Sequence, residues 1–227
     1  MARDASLLTA GAPLLMGEVS RNGAVLSIRG LERRFGEHEV IRRLDLSLAP
    51  GERVALWGPN GSGKTTVLRC IAGTLTPSRG EVLVGPHPAG ALEARRLVGA
   101  SLSQERSFYL RLSGRANLLF FAQLRFDSRS EAAQRVRALE DELELGEIAP
   151  ERVDRCSSGM IQQLGFARAL LGDPAVLLLD EPTKSLDVAA RARLWAALDR
   201  RAATSLLIAT HLNEDLEHCG ERVNLPA

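Results

Sequence analysis

The chain has 227 residues, 45% of them hydrophobic and 25% charged, which is the balance of an ordinary globular protein. Its formal net charge of +1 gives no electrostatic reason to expect a nucleic-acid partner, and none is predicted. The three cysteines are an odd number at wide spacing, which does not favour a zinc or dithiol site. No apolar run approaches the roughly 20 residues that cross a bilayer. If the protein acts at a membrane, we expect another chain to supply the membrane-spanning part.

Residues 1–20 are predicted to be a flexible tail. Their apolar patch from Leu7 to Met16 faintly resembles a signal peptide. However, Asp4 places a negative charge in the N-terminal region that should be basic, and Pro13 interrupts the apolar centre. From residue 24 the pattern becomes one of strands. Apolar residues alternate over residues 25–28 and again over residues 44–48, which predicts a small antiparallel sheet.

A short apolar run, Arg53 to Trp57, predicts a buried parallel strand, and helical spacing of apolar residues follows at Val67, Leu68 and Ile71. Between the strand and the helix lies a match to the P-loop pattern G-x-x-x-x-G-K-[ST]. Its residues are Gly58, Pro59, Asn60, Gly61, Ser62, Gly63, Lys64, Thr65 and Thr66.

This loop predicts an ATP site. Glycines let backbone N–H groups converge on the α- and β-phosphates, and the helix N-terminus adds a partial positive charge. Lys64 then reaches the β- and γ-phosphates, while the Thr65 hydroxyl ligates Mg²⁺. The chain has only two lysines, Lys64 and Lys184, and one of them stands at this position. A glycine turn of purely structural purpose has no use for the Gly-Lys-Thr ending.

A second apolar run, Val176 to Leu179, predicts another buried strand, which ends in the adjacent carboxylates Asp180 and Glu181. Both carboxylates can reach the phosphate end of the site from the carboxyl edge of a sheet. We therefore predict that Asp180 holds Mg²⁺ and that Glu181 deprotonates the attacking water. The alternative is a pair of strand-capping acids, which is costly when unpaired and buried.

Three further features have weaker individual signals. Apolar residues recur at steps of three and four over residues 112–145, which predicts a helical lobe at about 105–155, after a strand from Val98 to Ser103. Ser157, Ser158 and Gly159 precede another amphipathic helix, and taken alone this run favours a simple N-cap. Phe35 either packs in the core or stacks on adenine.

With the P-loop, the Ser157–Gly159 run and the strand ending in Asp180 and Glu181 in this order, the sequence resembles the nucleotide-binding domain of ABC ATPases from about residue 24 to 218. The resemblance implies an α/β fold with a P-loop NTPase core, a mostly parallel central sheet, an antiparallel β lobe and an inserted helical subdomain. Residues 21–227 would form this ATPase domain.

The resemblance also implies roles for single residues. Gln104 would contact Mg²⁺ and the catalytic water, and His211 would contact the γ-phosphate. Ser157, Ser158 and Gly159 would meet the nucleotide of a partner subunit, residues 185–187 would lie at the dimer seam, and Phe35 would stack on adenine. The signature segment departs from the family's usual Leu-Ser-Gly-Gly-Gln at Cys156, Ser158 and Met160, and Gln163 stands where arginine is common.

The implied function is the ATP-hydrolysing subunit of a membrane ABC transporter at the cytoplasmic face of the cell membrane. Its expected partners are separate permease subunits and a second ATP-binding subunit in a head-to-tail dimer. The segment 105–118 resembles ATPases of bacterial exporters, which favours export. The alternative is a soluble ABC ATPase of translation or DNA repair, but the tandem P-loop cores or long coiled-coil insertion of that class do not occur.

Overall fold

The computed structural model describes residues 23–102 and 108–226. A run of strands opens the described chain, and strands and helices follow in alternation. The strands are β1 (Leu26–Phe35), β2 (His38–Leu48), β3 (Arg53–Trp57), β4 (Arg79–Val84), β5 (His87–Pro88), β6 (Val98–Ser101), β7 (Val176–Asp180), β8 (Ser205–Thr210) and β9 (Glu221–Asn224). The helices are α1 (Lys64–Ile71), α2 (Leu92–Leu97), α3 (Gly114–Gln123), α4 (Arg129–Glu142), α5 (Ser158–Ala169), α6 (Val188–Asp199) and α7 (Asn213–Leu216), with a 3₁₀ turn at Val153–Arg155.

The first sheet is antiparallel and has the order β2-β1-β4-β5. In the β1–β2 ladder, Leu26 lies opposite Leu48 and Ile28 lies opposite Leu46, so the apolar residues of both strands share one face. That face is buried in the core that also contains residues of α1. The antiparallel lobe predicted from the alternating pattern is therefore confirmed.

The second sheet is parallel and has the order β6-β7-β8-β3-β9. Leu178 packs into the core shared with the antiparallel sheet, whereas Leu177 and Leu179 pack into a second core on the opposite face. Both faces of β7 are thus covered, as its continuous apolar run predicts. Because the strands are parallel, the carboxyl ends of β3, β7 and β8 lie at one edge of the sheet. The predicted fold class is confirmed.

The second core also contains the helices α3 and α4, which lie inside the predicted 105–155 insertion. The Arg115 guanidinium on α3 donates hydrogen bonds of 2.6–3.0 Å to the buried carboxylate of Glu140 on α4. The Arg125 guanidinium, whose pKa burial lowers, donates to the backbone carbonyls of Arg95, Arg96 and Val98. Arginines therefore fasten this helical region internally and to the edge of the sheet.

The limits of the domain and of its helical insertion stay predictions, and residues 1–20 lie outside the described residues. Within the two described ranges, none of the helices has the length and apolar character that crossing a membrane requires.

Candidate nucleotide site

The predicted P-loop connects β3 to α1 at the carboxyl edge of the parallel sheet. Gly63, at the N-cap of α1, has a φ of 91°, a left-handed conformation that glycine adopts without a steric penalty. A Cβ at Gly58 would lie 2.7 Å from Ser62 Oγ and 2.8 Å from the Leu225 carbonyl oxygen. The loop is therefore a tight turn that side chains at these two positions would force open.

Lys64 lies inside this turn and only 6% of it is exposed. Its Nζ donates to the carbonyl oxygens of Gly58 at 2.6 Å and of Pro59 at 3.0 Å. Ser62 Oγ is buried and has no hydrogen-bond partner among the described residues. A buried ammonium, a buried hydroxyl and a helix N-terminus at one turn are the groups that a phosphate chain needs.

The two residues predicted to bind the metal come from the start of α1 and the end of β7. Thr65 Oγ1, in the first turn of α1, donates to Asp180 Oδ2 at the end of β7 over 2.8 Å. The strands β7 and β3 are separated by β8, so the sheet order brings these residues together across 115 positions of sequence. A hydroxyl and a carboxylate beside a phosphate nest are oxygen ligands of the kind that Mg²⁺ takes together with nucleotide phosphates. The residues present fit both ATP and Mg²⁺.

Glu181 and His211, predicted separately as base and γ-phosphate contact, form a pair. Glu181 Oε1 lies 2.7 Å from His211 Nδ1. Because an ionised carboxylate only accepts hydrogen bonds, Nδ1 carries the proton when Glu181 is charged. Glu181 Oε2 is buried and has no hydrogen-bond partner within the described chain. One carboxylate oxygen is thus held by the histidine, and the other has the accepting capacity that the predicted role as a base requires.

The backbone at Glu181 is unusual, since its φ is 50° in a residue other than glycine. Gln162 of α5 holds it: Nε2 donates to the Glu181 carbonyl at 2.6 Å, and Oε1 accepts from the Ser185 N–H at 3.3 Å. Sequence reasoning missed this role of Gln162, because its partners are backbone groups that no residue type reveals. It also missed Asp215, whose buried carboxylate bonds the threonines beside Glu181 and His211.

The family model described as ABC transporter matches residues 41–184. The chain belongs to the ABC transporter family. Its predicted identity as an ABC nucleotide-binding domain is confirmed. The conclusion agrees with the geometry of the site, in which the P-loop and the two carboxylates meet at one edge of the sheet.

Known proteins similar to this ABC domain include importers and exporters. It is 35% identical over 205 residues to the sulfate/thiosulfate import ATP-binding protein CysA of Caulobacter vibrioides, covering 87% of this chain and 60% of the relative. It is 37% identical over 197 residues to the Nod factor export ATP-binding protein I of Cupriavidus metallidurans, covering 86% and 65%. The chain therefore spans about three-fifths to two-thirds of the length of such relatives.

Two solved structures have the same fold. An ATP-binding subunit of an ABC transporter matches with a TM-score of 0.80 and 25% identity, over 88% of this chain and 85% of that one. A dimeric ATP-binding cassette bound to ADP and phosphate matches with a TM-score of 0.80 and 23% identity, over 88% and 94%.

The signature segment of this ABC domain forms the N-terminus of α5. Ser157 is the N-cap, and its Oγ accepts from the Met160 N–H at 3.2 Å, while the Ser157 N–H points back to the Met160 sulfur at 3.5 Å. Methionine thus closes a capping box that usually ends in Glu or Gln. A Cβ at Gly159 would lie 2.5 Å from the Ser185 carbonyl oxygen. The cap is present as the residue pattern alone predicts, and contact of Ser157, Ser158 and Gly159 with a partner's nucleotide stays a prediction.

The remaining predicted residues are Phe35, three positions of the P-loop segment and Gln104. Phe35 ends β1 and is 47% exposed, with the Arg33 guanidinium 4.4 Å from the ring centroid. The core interpretation of Phe35 is therefore wrong, and adenine stacking stays a prediction. Asn60 and Gly61 are exposed on the P-loop, and Thr66 is half-buried in α1. Gln104 lies outside the described residues.

Proposed function

We propose that this chain binds ATP with Mg²⁺, hydrolyses the ATP and thereby powers a membrane transporter. The observation that carries the proposal is the 2.7 Å contact between Glu181 and His211 beside the 2.8 Å contact between Thr65 and Asp180. A domain that only stored nucleotide would need the second contact but would have no use for the first. The pair supplies a base and a group that orients it.

In the proposed reaction Lys64 and the P-loop backbone hold the β- and γ-phosphates. Thr65, Asp180 and Gln104 are the proposed ligands of Mg²⁺, which neutralises charge on the phosphate oxygens when it is bound. His211 holds Glu181 through Nδ1, and Glu181 Oε2 accepts the proton of the attacking water. The water oxygen bonds to the γ-phosphorus as the bond to the β,γ-bridging oxygen breaks, giving ADP and phosphate.

We further propose that two ATP-binding subunits pair head to tail. Ser157 and Ser158 are exposed at the N-terminus of α5, and their positions match the family segment that faces a partner's γ-phosphate. The dimeric arrangement of one structural neighbour supports the same proposal. We also propose separate permease subunits as partners and the cytoplasmic face of the membrane as the location, which the similarity to import and export ATP-binding proteins supports.

For direction, we propose export. The support is the resemblance of residues 105–118 to exporter ATPases and the 37% identity to Nod factor export proteins. Import is the second candidate, favoured by the names of relatives that carry sulfate, spermidine or glycerol phosphate inward. The genes beside this one separate the two: a gene for a solute-binding protein favours import, and a permease gene alone favours export.

The two lysines provide a matched test of the ATP site. Lys64→Ala removes the ammonium from the P-loop, whereas Lys184→Ala removes an exposed ammonium three residues after Glu181. Titration calorimetry with ATP and Mg²⁺ should show strongly weakened binding for Lys64→Ala and near wild-type binding for Lys184→Ala. Equal affinity of Lys64→Ala and wild type would overturn the proposed site. Phosphate release by wild type, and its loss in Glu181→Gln, tests the hydrolytic step separately.

A further inference from the structure

A buried carboxylate connects the two segments that carry Glu181 and His211. Asp215, on α7, has no exposed surface. Its Oδ1 accepts from Thr183 Oγ1 at 2.7 Å, and its Oδ2 accepts from Thr210 Oγ1 at 2.6 Å. Both threonines are themselves buried. Each oxygen of one carboxylate therefore holds a different segment, since Thr183 lies in the loop after β7 and Thr210 ends β8.

A further hydrogen bond fixes the direction of the one between Thr210 and Asp215. Thr210 Oγ1 also accepts from the Leu212 N–H at 3.0 Å, which occupies a lone pair and turns the hydroxyl proton toward Asp215. The chain of donors runs from Leu212 N–H through the Thr210 hydroxyl to the carboxylate. Bonds to an ionised acceptor are shorter and stronger than bonds between neutral groups, and bonded chains reinforce one another.

The two threonines of the Asp215 bridge lie close in sequence to Glu181 and His211. Thr183 lies two residues after Glu181, and Thr210 lies directly before His211. The parallel ladder pairs Asp180 with Ala209, and the Glu181 N–H still donates to the Ala209 carbonyl at 2.8 Å. Beyond that point the ladder between β7 and β8 ends. Beyond the ladder, the Asp215 bridge joins the two segments in addition to the Glu181–His211 contact, and it does so where the backbone at Glu181 has a φ of 50°.

We propose that Asp215 is a positioning residue for hydrolysis, which sets the distance between Glu181 and His211 through Thr183 and Thr210. Its side chain has no exposed surface with which to touch nucleotide or bulk water. It fixes the loops from which the base and its histidine project, so that Glu181 Oε1 stays bonded to Nδ1 and Oε2 stays turned toward the water. The inference rests on the proposed function.

The test compares hydroxyl loss with hydroxyl retention in the full chain. Asp215→Asn removes the charge at constant size, Thr183→Val and Thr210→Val remove one hydroxyl each, and Thr183→Ser and Thr210→Ser keep it. We expect Asp215→Asn and the valine variants to lower the ATPase kcat by about 10–100-fold, as a misplaced catalytic group does. The ATP Kd should change by less than about twofold, because the P-loop is built on other elements. The serine variants should restore most of the rate, and Asp141→Asn, on the exposed face of α4, should match wild type.

A second readout distinguishes positioning from folding. If Asp215 acts through the Glu181–His211 pair, Asp215→Asn should add less than about twofold to the kcat loss of His211→Ala. A purely structural role is indicated instead if kcat, Kd and melting temperature fall together, or if serine and valine variants are equally impaired. Either result overturns the inference. If Asp215→Asn does not fold, the threonine variants carry the same test.

The outcomes also separate this inference from the proposed function. If Glu181→Gln loses hydrolysis while folded Asp215→Asn keeps the wild-type kcat, the ATPase mechanism stands and the positioning role is overturned. If wild type releases no phosphate, or Glu181→Gln matches an active wild type, the proposed function and this inference fail together.

Discussion

The catalytic edge, which consists of Lys64, Thr65, Asp180, Glu181 and His211, differs from the signature segment at 156–160 in how its groups are held. At the catalytic edge, side chains 115 and 30 positions apart in sequence are bonded to each other. In the signature segment, both cap bonds of Ser157 reach only three residues, to Met160. Lys64, Asp180 and Glu181 are buried, whereas Ser157 and Ser158 are exposed.

This difference indicates which chemistry one chain organises alone. At the catalytic edge, the proposed base is bonded to its histidine and the two proposed metal ligands are bonded to each other, which reduces the reorganisation that the proposed hydrolysis requires. The signature segment has its backbone fixed by the Ser157 cap, while Ser157 and Ser158 both remain exposed. If the proposed dimer forms, substitutions at the catalytic edge should change ATP binding by the single chain or the hydrolysis step itself. Substitutions at the signature segment should change only dimer formation and the hydrolysis that depends on it.

The largest effect is expected from Glu181→Gln. Glutamine keeps the size of the side chain but cannot accept the water's proton, so hydrolysis should fall by roughly 10²–10⁴-fold while ATP still binds. Removal of the carboxylate also relieves repulsion with the γ-phosphate, so an ATP-bound dimer should live longer. Phosphate release measures the first effect, and size-exclusion chromatography with ATP and Mg²⁺ measures the second.

Asp180→Asn is the matched control for that prediction, since it changes the neighbouring carboxylate in the same way. It should lose Mg²⁺-dependent affinity through the altered contact with Thr65, and it should give no stable dimer. A monomeric Glu181→Gln that still hydrolyses ATP near the wild-type rate would refute the assignment of the base.

The next effect is expected in the signature segment, from Gly159→Ala. The added Cβ would lie 2.5 Å from the Ser185 carbonyl oxygen, a backbone atom that cannot rotate away. The segment should shift, and dimer-dependent hydrolysis should fall by about 10-fold or more, with little change in the ATP Kd of the isolated chain. Gly146→Ala is the matched control, because a Cβ added at Gly146 would have no neighbour within 4 Å. Equal loss of ATP affinity in Gly159→Ala would break the division between the two regions.

Phe108 and Tyr109 extend the same comparison to the helical region. Phe108 packs against the second core, with the Arg168 guanidinium 4.8 Å from its ring centroid, whereas Tyr109 is 51% exposed. Phe108→Ala should therefore lower the free energy of unfolding by about 2 kcal/mol. Tyr109→Ala should leave the melting temperature unchanged and impair permease-stimulated hydrolysis. A drop in melting temperature for Tyr109→Ala with normal coupling would contradict the prediction of a docking role.

Sequence patterns predicted the elements whose signal is local. These elements show a hydrophobic period or a motif within a few residues. They are the P-loop, the strands at 53–57 and 176–180 and the alternating strands, and the structure contains all of them. The strand β9 was not predicted, because Glu221–Asn224 is short and polar and becomes a strand by pairing with β3. The roles of Gln162 and Asp215 depend on partners 19 and 32 positions away.

The exposure of Phe35 likewise could not be predicted from the sequence alone. Its sequence position is compatible with the core and with a nucleotide pocket, and only its exposure at the end of β1 rejects the core. Burial at a strand end depends on which sheet and loop lie beside it. A single aromatic residue in a sequence does not specify those neighbours.

The smallest effect is expected at the junction between α4 and α6, which tests whether the helical region is held as firmly as the catalytic edge. Glu142 accepts a paired contact from Arg201 at 2.6 and 2.7 Å, and Arg200 adds a bond at 3.1 Å. The hydrogen bond from Arg201 is the largest cause that lowers the pKa of Glu142 below its ordinary value of 4.5. Since both arginines keep their charge, Glu142→Gln should cost about 1 kcal/mol of unfolding free energy at neutral pH, the upper range of partly exposed ion pairs.

The difference in unfolding free energy between wild type and Glu142→Gln should depend on pH. A carboxylate with a lowered pKa in the folded state stabilises the protein above its unfolded pKa, and this contribution is lost as pH falls through the folded pKa. The unfolding free energies of wild type and Glu142→Gln in urea should therefore differ by a constant amount at neutral pH. The difference should shrink once the pH falls below the ordinary value of 4.5 and vanish below the lowered folded-state pKa. Asp141→Asn, at the exposed neighbouring position, should show neither the difference nor the convergence. A gap that persisted in acid would assign the role of Glu142 to packing, and the helical region would then be held by shape and not by charge.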